Sequence, residues 1–94
     1  MFLVLLQYQN IDAVDRLLTE HYENPAGVFA LGLVRIAGRL EPRTGGLMIV
    51  DGDRRAVEDA VASDPFVKSG AATATITEFH ATWHSVGGGG AASE

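Results

Sequence analysis

The chain has 94 residues, which suits one domain with a single small core, stable enough only if something such as subunit pairing assists it. Hydrophobic residues make up 47% and charged residues 20%, which excludes general disorder. Twelve acidic residues against seven basic ones give a net charge of −5, which disfavours nucleic acid and anionic membrane surfaces as partners. With no cysteine, disulfides, thiolate catalysis and Cys-based zinc sites are excluded.

Phe2 to Tyr8 is a continuous apolar run of strand formers and predicts a central strand covered on both faces. It is too short to span a bilayer and lacks the basic lead and cleavage site of a signal peptide, so a cytoplasmic protein is expected. Asn10 predicts a helix cap. Ile11, Val14, Leu17 and Leu18 recur at helical spacing, and this amphipathic helix carries His21 near its end. Pro25 predicts the start of a second short helix over residues 26–31, with Asn24 as its cap and Gly32 as its terminator.

Leu33 to Leu40 reads as the second strand and Leu47 to Val50 as the third. The turn Pro42-Arg43-Thr44-Gly45-Gly46 between them predicts a hairpin. Asp51-Gly52-Asp53 opens a helix with the apolar stripe Ala56, Val57, Ala60 and Val61. Asp64-Pro65 ends it, because a residue before proline avoids helical geometry. Ala72 to Trp83 reads as a long last strand with alternating faces. Residues 85–94, Gly-rich, read as a flexible tail after a domain of residues 1–84.

The resulting order, β-α-α-β-β-α-β, is the split βαβ pattern of an α+β, ferredoxin-like domain with a four-stranded antiparallel sheet. Helices cover one face of such a sheet. Phe79 and Trp83 on one side of the last strand and Ile76 on the other call for cover on both faces, which predicts a homodimer packed sheet to sheet.

Glu41-Pro42-Arg43-Thr44-Gly45-Gly46 before a strand, Asp64-Pro65-Phe66-Val67-Lys68-Ser69-Gly70 after a helix, and Glu78-Phe79 in the last strand resemble the YCII-related family. The resemblance runs from Met1 to about Trp83. It implies a dimeric α+β barrel, with His21 and Asp64 matching the family's histidine–aspartate pair. The family includes an enzyme that removes chloride from a chlorinated aromatic. Relatives end the second strand in a Gly-Pro step; here the matching stretch is Ile36-Ala37-Gly38-Arg39, which puts a long cation at that place.

A carboxylate beside a histidine fixes the imidazole tautomer and stabilises the imidazolium, so the pair can move protons near neutral pH. The expected activity is therefore cofactor-free acid–base chemistry of the lyase, isomerase or cyclase type on a small carbonyl-bearing or aromatic substrate. His21 and Asp64 are the catalytic candidates, and Arg39, Arg43, Thr44 and Gly45 the substrate-binding ones. The competing reading is a non-catalytic dimeric ligand-binding or accessory module. Each candidate also has a plain structural role. His21 suits a helix C-terminus, Asp64 suits a cap before Pro65, Arg39 and Arg43 suit solvated strand and turn ends, and the glycines suit turn geometry. His80 and His84 read as surface residues, and no carboxylate has helical ligand spacing to any histidine, so no metal site is expected.

Overall fold

The structure, a computed structural model, describes residues 1–86 and 89–92, with side chains through Trp83. Strand β1 (Phe2–Tyr8) lies between β3 (Gly45–Val50) and β4 (Ala72–Glu78), and β2 (Val34–Arg39) flanks β3, giving the antiparallel order β2-β3-β1-β4. This is the ferredoxin-like sheet that the element order predicts. The hairpin of β2 and β3 is also as predicted, with a register shift between Val34 and Ile36.

Alternation divides the sheet into two unlike faces. Phe2, Val4, Leu6, Met48 and Val50 point to the helices and are buried. Burying each is worth about 1.5–3 kcal/mol, so these five anchor the core. Leu3, Leu5, Leu47 and Ile49 point the other way and are half-buried, beside the exposed Thr73, Thr75 and Thr77. Ile36 joins this open face at 64% exposure.

Two helices follow β1. In α1 (Ile11–Arg16) the Asn10 side chain accepts from the Ala13 N–H at 3.1 Å, as the sequence predicts. Leu17 then leaves helical geometry, and α2 (Leu18–Glu23) begins. The single helix expected from the periodicity is thus broken once. Buried Val14 and His21 are seven residues apart, two turns, and keep a common inward face across the break.

Residues 26–31 do not form the expected second helix; they make a series of turns. Six residues that include Gly27, Val28 and Phe29 lack both the length and the propensity to nucleate one. Asn24 still caps the first turn, its side chain accepting from Ala26 N at 3.2 Å. Gly32, at φ 71°, closes the segment where a side chain would be strained.

Helix α3 (Arg54–Ala62) is capped by Asp53 and buries Val57, Ala60 and Val61. Helix α4 (Pro65–Lys68) follows after two residues, with Pro65 at its first position. The last strand is shorter than the sequence predicts, ending at Glu78 because its partner ends: Glu78 pairs with Phe2, and the Phe79 N–H donates to Met1 O at 2.9 Å as a final rung. Residues 83–86 (β5) instead run antiparallel to residues 89–92 (β6). The remainder of the segment expected as a tail, residues 87, 88, 93 and 94, lies outside the described residues.

Candidate acid–base site

The site forms where α2, α4 and the end of β2 meet over the helix face of the sheet. His21 enters from α2, its backbone N–H held by Leu17 O at 2.8 Å. Asp64 enters from the junction of α3 and α4. Their side chains meet through His21 Nδ1 and Asp64 Oδ2 at 2.6 Å, with the residues 7% and 6% exposed.

Asp64 acts twice. Its Oδ1 accepts from the Phe66 N–H at 2.8 Å and caps α4, while Oδ2 faces His21. The cap read from the sequence and the pairing are therefore compatible, one for each carboxylate oxygen. A carboxylate only accepts, so against an ionised Asp64 the Nδ1 is the donor, and in the neutral ring that tautomer leaves Nε2 with its lone pair. Every buried side-chain nitrogen or oxygen among the described residues has a hydrogen-bond partner. Nε2 has none, so it is not fully buried, and His21 lines the adjacent pocket.

Aromatic rings fix the imidazole plane. His21 stacks on Phe66 with centroids 4.1 Å apart and planes 7° apart. Phe29 and Tyr22 meet it edge-on at 5.4 and 4.9 Å. These contacts restrain the orientation of the ring.

The pocket in front of His21 has a volume of about 60 Å³ and is walled by Tyr8, Tyr22, Phe29 and Phe66, with Gly38, Gly46 and Met48 from the sheet. Arg39 also lines it. A groove of about 310 Å³ runs along Ile36 and Leu47 on the open side of edge strand β2 and shares Ala37, Gly38, Arg39 and Leu47 with the pocket lining. Arg39 therefore stands at the sheet edge and borders both the pocket and the groove. Among the described residues its only ionic contact is a loose one to Glu41 at 3.5 Å, with the Arg39 side chain 70% exposed.

The other sequence candidates lie outside this lining. Arg43 is turned to Asp15, 2.6 Å away, and sits over the Tyr8 ring at 5.8 Å. The Thr44 N–H donates to Pro42 O, and its carbonyl accepts from Tyr8 N at 2.9 Å, so its amide is already engaged. Gly45 packs so tightly on β1 that an added Cβ would collide with the carbonyl of Leu6; its neighbour Gly46 is the one that reaches the pocket.

Tyr8 is the residue that sequence reading missed. It shares the helix face with Leu6, and burial raises its phenol above the ordinary value of 10.0, with the nearby Arg43 cation partly offsetting this. The signal was present as strand parity: Tyr8 is an even step from Leu6. Among the described residues no three His, Cys, Asp or Glu side chains are grouped to hold a metal ion.

Sheet order and helix layer make this an α+β domain of the ferredoxin-like class, with a carboxylate-paired histidine set in an aromatic pocket. The YCII-related domain matches residues 1–80, and the chain belongs to that family. The fold is similar to that of 5-chloro-2-hydroxyhydroquinone dehydrochlorinase (TftG) from Burkholderia phenoliruptrix AC1100, solved in complex with 2,5-dihydroxybenzoquinone. The TM-score is 0.67 at 14% identity, covering 85% of this chain and 94% of that one. A search of curated proteins gives no match. No helix among the described residues is long and apolar enough to cross a membrane.

Proposed function

We propose that this protein is a cofactor-free small-molecule enzyme in which His21 moves a proton through Nε2 and Asp64 holds it ready to do so. The observation that carries this reading is the buried 2.6 Å contact between His21 Nδ1 and Asp64 Oδ2 at the wall of a pocket. Proton abstraction next to a carbonyl, elimination, isomerisation and ring closure are the reactions such a group serves. TftG, by its name a dehydrochlorinase of a hydroxylated chlorinated ring, is one instance of an elimination on this fold.

A pocket of about 60 Å³ supports a small substrate or the small reacting end of a larger one. Arg39, at the sheet edge, is the group that would hold an anionic or carbonyl oxygen. The uncovered sheet face of Leu3, Leu5, Ile36, Leu47 and Ile49 supports pairing of two chains sheet to sheet.

The test is hydrogen–deuterium exchange at the α-carbons of 4-oxocyclohexanecarboxylate in D₂O, followed by loss of the proton NMR signals. Catalysed exchange is expected with the wild type and should fall by ~10²–10⁴-fold in His21→Ala. Exchange that His21→Ala leaves unchanged sinks this mechanism.

A further inference from the structure

The geometry points to Tyr8 as the oxyanion-binding group of the pocket: its hydroxyl donates to the substrate oxygen on which charge develops when His21 removes a neighbouring proton. This rests on the acid–base reading for the reaction, but the binding role is testable without turnover.

Three observations place the group. Tyr8 lies at an even step from Leu6, Val4 and Phe2 in β1 and so faces the same side of the sheet as His21. Both line the pocket, and both rings pack on Phe66, His21 by its face and Tyr8 edge-on with centroids 6.3 Å apart. The Tyr8 hydroxyl lies 3.9 Å from where a Cβ on Gly46 would stand, and no hydrogen bond to another described residue engages it. The pocket thus presents His21 Nε2 and Tyr8 Oη together on the Phe66 wall, while its other polar lining groups, the Arg39 guanidinium and the Tyr22 hydroxyl, belong to the more exposed residues at its rim.

The rest of the ring is fixed. Its backbone N–H is held by Thr44 O, and the Arg43 guanidinium, itself anchored by Asp15, lies over the ring. A donor held in place before reaction costs no reorganisation as charge appears. Burial keeps the phenol protonated well past neutral pH, so it is a donor under ordinary conditions.

The step balances without an added reagent. His21 Nε2 takes the proton from the carbon beside a carbonyl, and the C–H pair becomes a C=C bond. The carbonyl π pair moves to oxygen, which accepts the Tyr8 hydrogen bond. Return of the proton to another carbon gives an isomer; loss of a leaving group gives elimination. The substrate class this selects is an enolisable carbonyl or hydroxylated ring, with its oxygen within reach of Tyr8.

A phenolate mimics the enolate oxygen. Binding of 4-nitrophenolate, read from its visible absorbance, is compared with binding of the neutral 4-nitroanisole, read by ligand NMR, in the wild type and in Tyr8→Phe. The substitution keeps the ring packed on Phe66 and removes only the hydroxyl. The expected result is a loss of about ten-fold or more for the phenolate with little change for the anisole, since a hydrogen bond to a charged oxygen is worth at least that. Equal phenolate affinity in both proteins, equal losses for both ligands, or no phenolate binding by the wild type would overturn the assignment. Failure of the His21→Ala exchange assay would leave this binding result standing, so the two readings fail separately.

Discussion

Asn24 stands three residues after His21, Ser63 one residue before Asp64, and the two are joined. The Asn24 Nδ2 group donates to the Ser63 carbonyl at 3.1 Å and to its hydroxyl at 2.8 Å. The Ser63 hydroxyl in turn faces Ala60 O at 2.7 Å and Ala26 O at 3.2 Å. This clamp ties the end of α2 to the end of α3 directly behind the histidine–aspartate contact. Asn24→Ala removes both of its bonds to Ser63, whose hydroxyl keeps Ala60 O, and this loss should cost about 1–2 kcal/mol. For a domain of this size that lowers the melting temperature by roughly 4–16 °C, measurable by circular dichroism. A change under 1 °C would show that the clamp carries no weight.

The two oxygens of Asp64 separate structure from chemistry. Asn caps helices about as well as Asp, so Asp64→Asn keeps the bond from Phe66 N while removing the charge that His21 faces. Asp64→Ala loses both. Urea denaturation should therefore find Asp64→Ala less stable than Asp64→Asn by about 1 kcal/mol or more. The ¹⁵N shifts of His21 should show the Nδ1–H tautomer in the wild type and a mixture in Asp64→Asn. A wild-type ring protonated mainly at Nε2 would contradict the assignment of Nε2 as the proton acceptor.

What could be read from the sequence was what local spacing determines. Asn10, Asp53 and Asp64 each cap the helix that follows them, because a side chain needs only to reach two or three residues ahead. The apolar run of β1 and the β2–β3 hairpin needed no distant information. The end of β4 did, since its last rung is set by Met1, 78 positions away from Phe79. The site divides the same way. Arg43 looks like a free cation until the fold brings it Asp15 from 28 positions upstream. Gly45 and Gly46 are indistinguishable as letters, yet one step of strand parity presses Gly45 against Leu6 and gives Gly46 to the pocket.

The raised phenol of Tyr8 makes stability depend on pH at the alkaline end. The folded chain holds this proton more tightly than the unfolded chain, whose phenol titrates near 10.0. The associated stability is fully present below that value and is lost as the pH rises through it toward the folded value. Urea midpoints between pH 9 and pH 11.5 should fall more steeply for the wild type than for Tyr8→Phe. The difference in alkaline absorbance titration between the two proteins should place the Tyr8 step above 10. A step at or below 10 would mean that the ring is not buried as the structure has it.

The open face of the sheet gives the last prediction. Ile49 sits at its centre, paired across the strands with Leu3 and Ile36. An apolar stripe of this kind on one side of an antiparallel sheet is ordinarily covered, and the helices are all committed to the opposite side. A second copy offers a matching stripe about a two-fold axis. If pairing covers the stripe, sedimentation should give twice the chain mass of 10.0 kDa, and Ile49→Lys should shift the protein to the monomer mass. A lysine there would place two unpaired charges against each other in the middle of the contact, a cost of several kcal/mol. The substitution points away from the buried core of Val4, Met48 and Val50, so the circular dichroism spectrum should be kept. Leu47 borders both the open face and the pocket, so a monomeric Ile49→Lys should also bind 4-nitrophenolate more weakly. A wild type that sediments as a monomer at tens of micromolar would remove both expectations together, because the groove beside Arg39 would then be walled by one chain alone.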